Sequence, residues 1–140
     1  MNSGLQYHHI GFAVENLQLA INKWENDGFK VAIPPVDDLN IGVSCVMLTD
    51  VSSFAIEIIS PLSGSSSLSA RMKRGGGLDH ICFSTENIDQ QLQIEQINGA
   101  IVVLEPTVAK LFNRKVAFVI RRSGLLTEFI ENGEVSIEAD

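Results

Sequence analysis

The stretch HHIGFAVEN (8–16) comes back as DHICFSTEN (79–87), 71 positions later and without a gap. His9 falls on His80, Ile10 on Ile81, Phe12 on Phe83, Glu15 on Glu86 and Asn16 on Asn87. Further out the register holds: Gly28 meets Gly99, Val31 meets Val102, Pro35 meets Pro106, Ser52 meets Ser123, Glu57 meets Glu128 and Ile59 meets Ile130. That makes eleven identities in the 52 pairs that begin at residue 8, where unrelated pairs of ordinary composition share about three. The 140 residues are read as one domain formed by internal duplication. Its modules are 8–60 and 78–131, joined by a Ser/Gly-rich linker over 61–77.

Each copy spells the same order of elements, βαβββ, which sets the fold class as α+β. Residues 8–14 alternate as a strand does, and Glu15-Asn16 interrupts them. LQLAINKWEND (17–27) then places Leu17, Ala20, Ile21 and Trp24 at helical spacing before Gly28 ends the helix. Strands follow at 29–33, 42–48 and 54–59, with Pro34, Pro35 and Asp37-Asp38 marking a turn-rich stretch after the first. The second copy predicts strands near 78–84, 101–105, 114–120 and 125–130 and a helix near 88–98, and the linker predicts a helical turn or two around 67–74. The acidic end, 131–140, reads as a frayed tail.

Composition narrows the functional classes. Seventeen acidic against ten basic residues give a net charge of −7, the wrong sign for a protein that neutralises phosphates, so nucleic acid is excluded as a partner. No apolar run approaches the length of a membrane span and the N-terminus lacks a leader pattern, which predicts a cytoplasmic protein without membrane attachment. Cys45 and Cys82 sit in apolar runs without a CxxC pattern and are expected as reduced thiols.

Strand alternation puts Ile10, Phe12 and Val14 on one face, against the helix, and His9, Gly11 and Ala13 on the other. The second copy divides in the same way, with His80, Cys82 and Ser84 on the small face. His8 falls opposite His9 and receives no role. Glu57 and Glu128 stand in mid-strand among aliphatic residues, a placement that is costly unless a partner or a metal compensates the charge. Two modules packed about a twofold axis would bring His9, Glu57, His80 and Glu128 to one centre. Such a His2Glu2 set suits a single divalent ion of Zn, Ni, Co, Fe or Mn and leaves positions open for substrate.

HHIG (8–11), IEIISPL (56–62), RGGGLDHICF (74–83), KVAF (115–118) and GLLTEFIE (124–131) together resemble the vicinal oxygen chelate superfamily, and within it most closely the methylmalonyl-CoA epimerase group. The resemblance spans about residues 8–131 and implies a cupped, eight-stranded mixed sheet around a central cavity. It also implies that His9, Glu57, His80 and Glu128 are the metal ligands. The implied substrate is a small molecule with two adjacent oxygens, whose enolate the metal stabilises after a proton is removed from the neighbouring carbon. Glu128 is the implied base. Some epimerases carry a glutamate on the third strand where this chain has Cys45, a thiol that can donate a proton.

Other positions depart from the epimerase pattern. Ile120-Arg121-Arg122-Ser123 replaces a His-Pro-Lys-Ser stretch, and the segment 109–113 alters the expected pocket mouth. Eight of the ten basic residues follow residue 70 and can flank a cavity that holds an anionic tail. The resulting expectation is a metal-dependent epimerase or isomerase, acting for example on an acyl-CoA such as methylmalonyl-CoA. The alternatives are a glyoxalase-type lyase and a drug-sequestering protein that binds without turnover. Exposed sheet edges on a small cup favour a homodimer.

Overall fold

The computed structural model describes residues 4–62 and 68–135. Strand β1 (Gln6–Ala13) leads into α1 (Leu17–Asn26), followed by β2 (Lys30–Asp38), β3 (Val43–Thr49) and β4 (Ala55–Pro61). A short helix, α2 (Ser69–Lys73), precedes β5 (Gly77–Thr85), α3 (Ile88–Ile97), β6 (Ile101–Ala109), β7 (Arg114–Ile120) and β8 (Leu126–Glu131). The repeated asparagines cap the long helices: Asn16 Oδ1 accepts from Leu19 N at 3.0 Å and Asn87 Oδ1 from Gln90 N at 2.9 Å. The repeated glycines end them, with Gly28 and Gly99 at φ of +96° and +92°, a region that a Cβ disfavours.

The strands form one sheet in the order β2-β3-β4-β1-β5-β8-β7-β6. Its centre is the antiparallel pair of first strands, β1 and β5, each flanked by the parallel last strand of its own copy. Along β4, Ile56 and Ile58 point outward and pack on Ala20 and Ile21 of α1, while Ile59 points inward. The outer face of the second half packs Ala117, Val119 and Phe129 against Ile88 and Leu92 of α3. Each wholly buried aliphatic or aromatic side chain contributes roughly 1.5–3 kcal/mol, so two outer layers hold the sheet curled and free its inner face for polar groups. Among the described residues, no helix is long and apolar enough to cross a membrane.

Several elements differ from the sequence expectation. β2 and β6 do not stop at 33 and 105 but continue to Asp38 and Ala109, through Pro34, Pro35 and Pro106. Both are edge strands, and their pairing slips in register around these prolines, so the missing N–H groups break little of the ladder. The segment 109–113 is tied down and contributes Ala109, Leu111 and Phe112 to the lining of the inner cavity. Asp38 accepts from Asn40 N and Ile41 N through Oδ1 and from Lys110 N at 2.8 Å through Oδ2, tying the β2–β3 turn to the β6–β7 turn, and Leu111 and Phe112 are buried against the inner core. The tail is also held as far as 135: Glu131 Oε2 accepts from Ile88 N, and Val135 N donates to Asn113 O. Residues 136–140 of the expected tail, and Ser67 of the expected linker turn, lie outside the described residues.

Most of the basic residues are not at the cavity. Arg121 lies on the outer face, where Nε and Nη2 donate to the Glu95 carboxylate at 2.8 and 3.2 Å and the guanidinium stacks over Phe83 and Phe129. Replacing it, as Arg121→Ala, leaves the largely buried Glu95 with Gln91 as its remaining side-chain partner among the described residues. The expected loss is about 2 kcal/mol in urea unfolding, with no change in metal content.

Candidate metal centre

The four central strands bring the candidate ligands together through their register. Across the sheet, Gly11 lies between Glu57 of β4 and His80 of β5, and Cys82 lies between His9 of β1 and Glu128 of β8. All four polar side chains are buried. Nε2 of His9 lies 3.3 Å from Glu57 Oε1, 3.0 Å from Glu128 Oε1 and 3.3 Å from His80 Nε2. Nε2 of His80 lies 3.3 Å from Glu57 Oε1 and 3.1 Å from Glu128 Oε1. Donors held about 2.1 Å from one ion stand about 3.0 Å apart on adjacent octahedral positions and about 3.4 Å apart on tetrahedral ones. All five separations fall in that interval. Glu128 Oε1 is fully buried and makes no aligned hydrogen bond although both imidazole nitrogens are close. The four ligand atoms therefore converge on a shared point, as a metal requires.

The charge balance agrees. Burial alone would lower the pKa of His9, but the Glu128 and Glu57 carboxylates outweigh it and raise it. His80 is raised well above its ordinary value against the same burial, by Asp79, Glu128 and Glu57. Burial opposes ionisation of the glutamates, yet the two imidazoles hold Glu57 below and Glu128 well below the usual carboxylate range. The site thus favours positive charge beside its two carboxylates, which is what a divalent ion would bring. A second cluster, His8, His9 and Cys82, also has ligand atoms within 4.8 Å of one another. It fits a cation less well, because burial and the Glu128 charge keep the Cys82 thiol protonated and Arg114 stands beside His8.

The expectation that His8 points away from His9 is overturned. Pairing of β1 with β5 slips between Tyr7 and His9 and again between Gly11 and Phe12, where β5 skips from His80 to Leu78. His8 is thus the extra residue of a bulge in β1, and Asp79 the extra residue of a bulge in β5. A bulge suspends the alternation of faces. His8 Nδ1 comes to 2.8 Å from His9 Nδ1, and Asp79 Oδ2 to 2.8 Å from His80 Nδ1. Burial, then the charges of His9 and Arg114, lower His8 to about 4, so its ring is neutral at pH 7.

A cavity of about 620 Å³ opens from the centre, with Cys45, Glu57, His80 and Glu128 among its lining residues. Arg71 and Arg74 line it too, as do the exposed aliphatic side chains of Leu78, Val103, Ile120 and Leu125. Cys45 is buried in the inner core, and burial and then the Glu57 charge push its thiol well up, so it remains protonated. Phe112 stacks on the His9 ring at 5.3 Å and separates this cavity from another of about 450 Å³ that His8 and Arg114 line. Asp79, Phe112 and the two arginines were not singled out individually by the sequence. For Asp79 the repeat carried a signal, since it occupies the place of His8 one residue before each candidate ligand.

Comparison with known proteins gives the family and the fold. No curated protein is similar enough in sequence to match the chain. A hypothetical protein, BH1468 from Bacillus halodurans C-125, is 26% identical with a TM-score of 0.81, covering 97% of this chain and 100% of that one. Methylmalonyl-CoA epimerase from Mycobacterium tuberculosis is 25% identical with a TM-score of 0.77, covering 94% of this chain and 89% of that one. A methylmalonyl-CoA epimerase in complex with methylmalonyl-CoA and NH4+ shares the fold at 24% identity, with a TM-score of 0.80 and coverage of 99% and 100%. Residues 8–118, which take in three of the four converging side chains and both bulges, match the family model itself. The duplicated βαβββ chain belongs to the glyoxalase/bleomycin resistance protein/dioxygenase superfamily.

Proposed function

We propose that this chain is a metal-dependent epimerase or isomerase that moves the proton next to a carbonyl of a small acyl compound, such as the thioester methylmalonyl-CoA. The observation that carries the reading is the convergence of two imidazoles and two carboxylates on one buried point that borders a cavity. His9, Glu57, His80 and Glu128 would hold one divalent ion. When bound, that ion supplies Lewis acidity toward a carbonyl oxygen and so lowers the cost of the enolate. Glu128, ionised at neutral pH, takes the proton on one side of the substrate. Cys45 stands on β3, in the other half of the cup, and its protonated thiol returns a proton to the other face; solvent then resets both groups. The aliphatic lining accommodates an acyl group, and the walls of the cup exclude water from the reacting carbon.

Elemental analysis of protein purified without a His-tag, followed by solvent deuterium exchange on methylmalonyl-CoA, tests the proposal. The expected result is about one divalent ion per chain, lost in Glu57→Ala and Glu128→Ala, with exchange at the α-carbon that depends on the metal. Cys45→Ala is expected to keep exchange and lose most of the inversion, because only the returning proton is affected. Metal without exchange on this thioester would refute the epimerase reading. No metal after reconstitution would refute the centre and favour a protein that binds intact ligands.

A further inference from the structure

The cup holds two cavities, and the duplication relates them. Residues that line the smaller one, of about 450 Å³, fall on residues that line the larger when moved 71 positions along the chain. Met47 falls on Phe118, Ala55 on Leu126 and Ala32 on Val103, while Arg114 falls on Val43 and Phe112 on Ile41. Strand pairing agrees, since Met47 faces Glu57 across β3 and β4 as Phe118 faces Glu128 across β7 and β8. The smaller cavity is thus the counterpart, about the approximate twofold axis of the cup, of part of the larger one. The two have diverged. In the smaller, the sheet carries the lesser side chain at each of the three floor positions, and β7 begins with a cation where β3 begins with Val43. The result is a shallow apolar floor with one guanidinium beside it.

We propose that this smaller cavity is a second binding site, for a short-chain monocarboxylate whose acid group pairs with Arg114 and whose alkyl chain lies on Ala32, Ala55 and Met47. Arg114 is held in place by uncharged partners: Nε donates to Glu131 O at 2.7 Å and Nη1 lies 3.2 Å from His8 Nε2. Glu131 spends its own carboxylate on Ile88 N. Among the described residues, no carboxylate oxygen stands within 4.0 Å of the Arg114 guanidinium, Glu134 at the exposed rim included. A fixed guanidinium without a counter-charge matches a carboxylate in plane and spacing. One cation beside an apolar floor selects a monoanion with a hydrocarbon chain over a polyphosphate, and the volume is in the range of small-molecule sites. The site stands apart from the proposed metal centre and does not depend on it.

The test titrates butyrate into the purified protein at constant ionic strength, with methyl NMR of labelled methionine and isoleucine as the readout. Met47 and Ile33 report the smaller cavity, and Ile59 and Ile120 the larger. Saturable shifts at Met47 and Ile33 are expected, with a dissociation constant of about 1 mM or below. Butanol and Arg114→Met are each expected to weaken binding at least about tenfold, since either change removes the charged hydrogen bonds. Should Arg114→Met fail to fold, the pair Ala32→Val and Ala55→Leu decides. It fills the floor toward the second copy's residues, leaves Arg114 and its anchors untouched, and is expected to abolish the Met47 shift. Shifts confined to Ile59 and Ile120 would place the acid in the larger cavity and overturn the proposal. So would butanol binding as well as butyrate, wild-type affinity in Arg114→Met or in the filled floor, or no saturation by about 50 mM.

Discussion

Gly11→Val is expected to bind no divalent ion while still folding, and Gly11→Ala to lose at least about a hundredfold in metal affinity. The His80 ring lies flat on the β1 backbone at this residue: a Cβ on Gly11 would stand 2.1 Å from His80 Cε1, 2.5 Å from Nε2 and 2.6 Å from Nδ1. The ring has no room to retreat. Phe118 meets it edge-on at 5.2 Å, the His9 ring stands 5.4 Å away, and Asp79 holds Nδ1. Overpacking of this kind costs about 1–3 kcal/mol, less than a domain of this size has to lose, whereas moving a ligand nitrogen by a fraction of its bond length removes it from the ion. Thermal unfolding alongside metal titration separates the two effects. Wild-type affinity in Gly11→Ala would show that His80 is not a ligand. The second copy sets no such limit, because its equivalent residue, Cys82, already carries a side chain beneath His9.

Metal uptake at pH 6 is expected to release about two protons per ion, and affinity to rise about a hundredfold per pH unit there. Both imidazoles have pKa values raised above 6.5 against their burial, His9 by the glutamates and His80 by Asp79 and the glutamates, so both are charged at pH 6 and must give up a proton to ligate. Above their raised values the dependence flattens. Calorimetry in two buffers of different ionisation enthalpy counts the protons, and affinity that does not change between pH 6 and pH 8 would sink the ligand assignment. The same shifts set the stability of the metal-free protein. Groups raised in the folded state contribute stability that is present below pH 6.5 and lost as pH climbs through their folded values, so that protein weakens on the alkaline side. Glu57 and Glu128, lowered in the folded state, contribute stability that is present above their ordinary value of 4.5 and lost as pH falls through their folded values. Metal binding removes the alkaline weakness.

The duplication made much of this legible. Asn16/Asn87 and Gly28/Gly99 turned out to be helix caps and stops, and His9/His80 and Glu57/Glu128 the buried cluster, because each identity marks a place where backbone or charge tolerates few residue types. What stayed hidden depended on register. Alternation puts His8 and His9 on opposite faces, and only the slip in β1–β5 pairing, which no residue pattern announces, brings them together. The edge strands were cut short for a related reason: Pro34, Pro35 and Pro106 read as breaks, yet an edge position asks for fewer N–H donors. Arg121 could not be told from the cavity arginines in the sequence, since position along the chain says nothing of which face a guanidinium reaches.

Those edge prolines also govern how copies of this chain meet one another. A sheet with two free borders is a template for further strands, and repetition of that contact leads to fibrils. Here both borders are interrupted at equivalent points of the repeat, Pro35 in β2 and Pro106 in β6, with slipped register alongside. An incoming strand would find the hydrogen-bonding pattern broken within a few residues of either end. Open-ended addition of strand upon strand is thereby disfavoured at both borders, so the residues that let each edge strand run past its prolines also discourage the sheet from propagating from copy to copy.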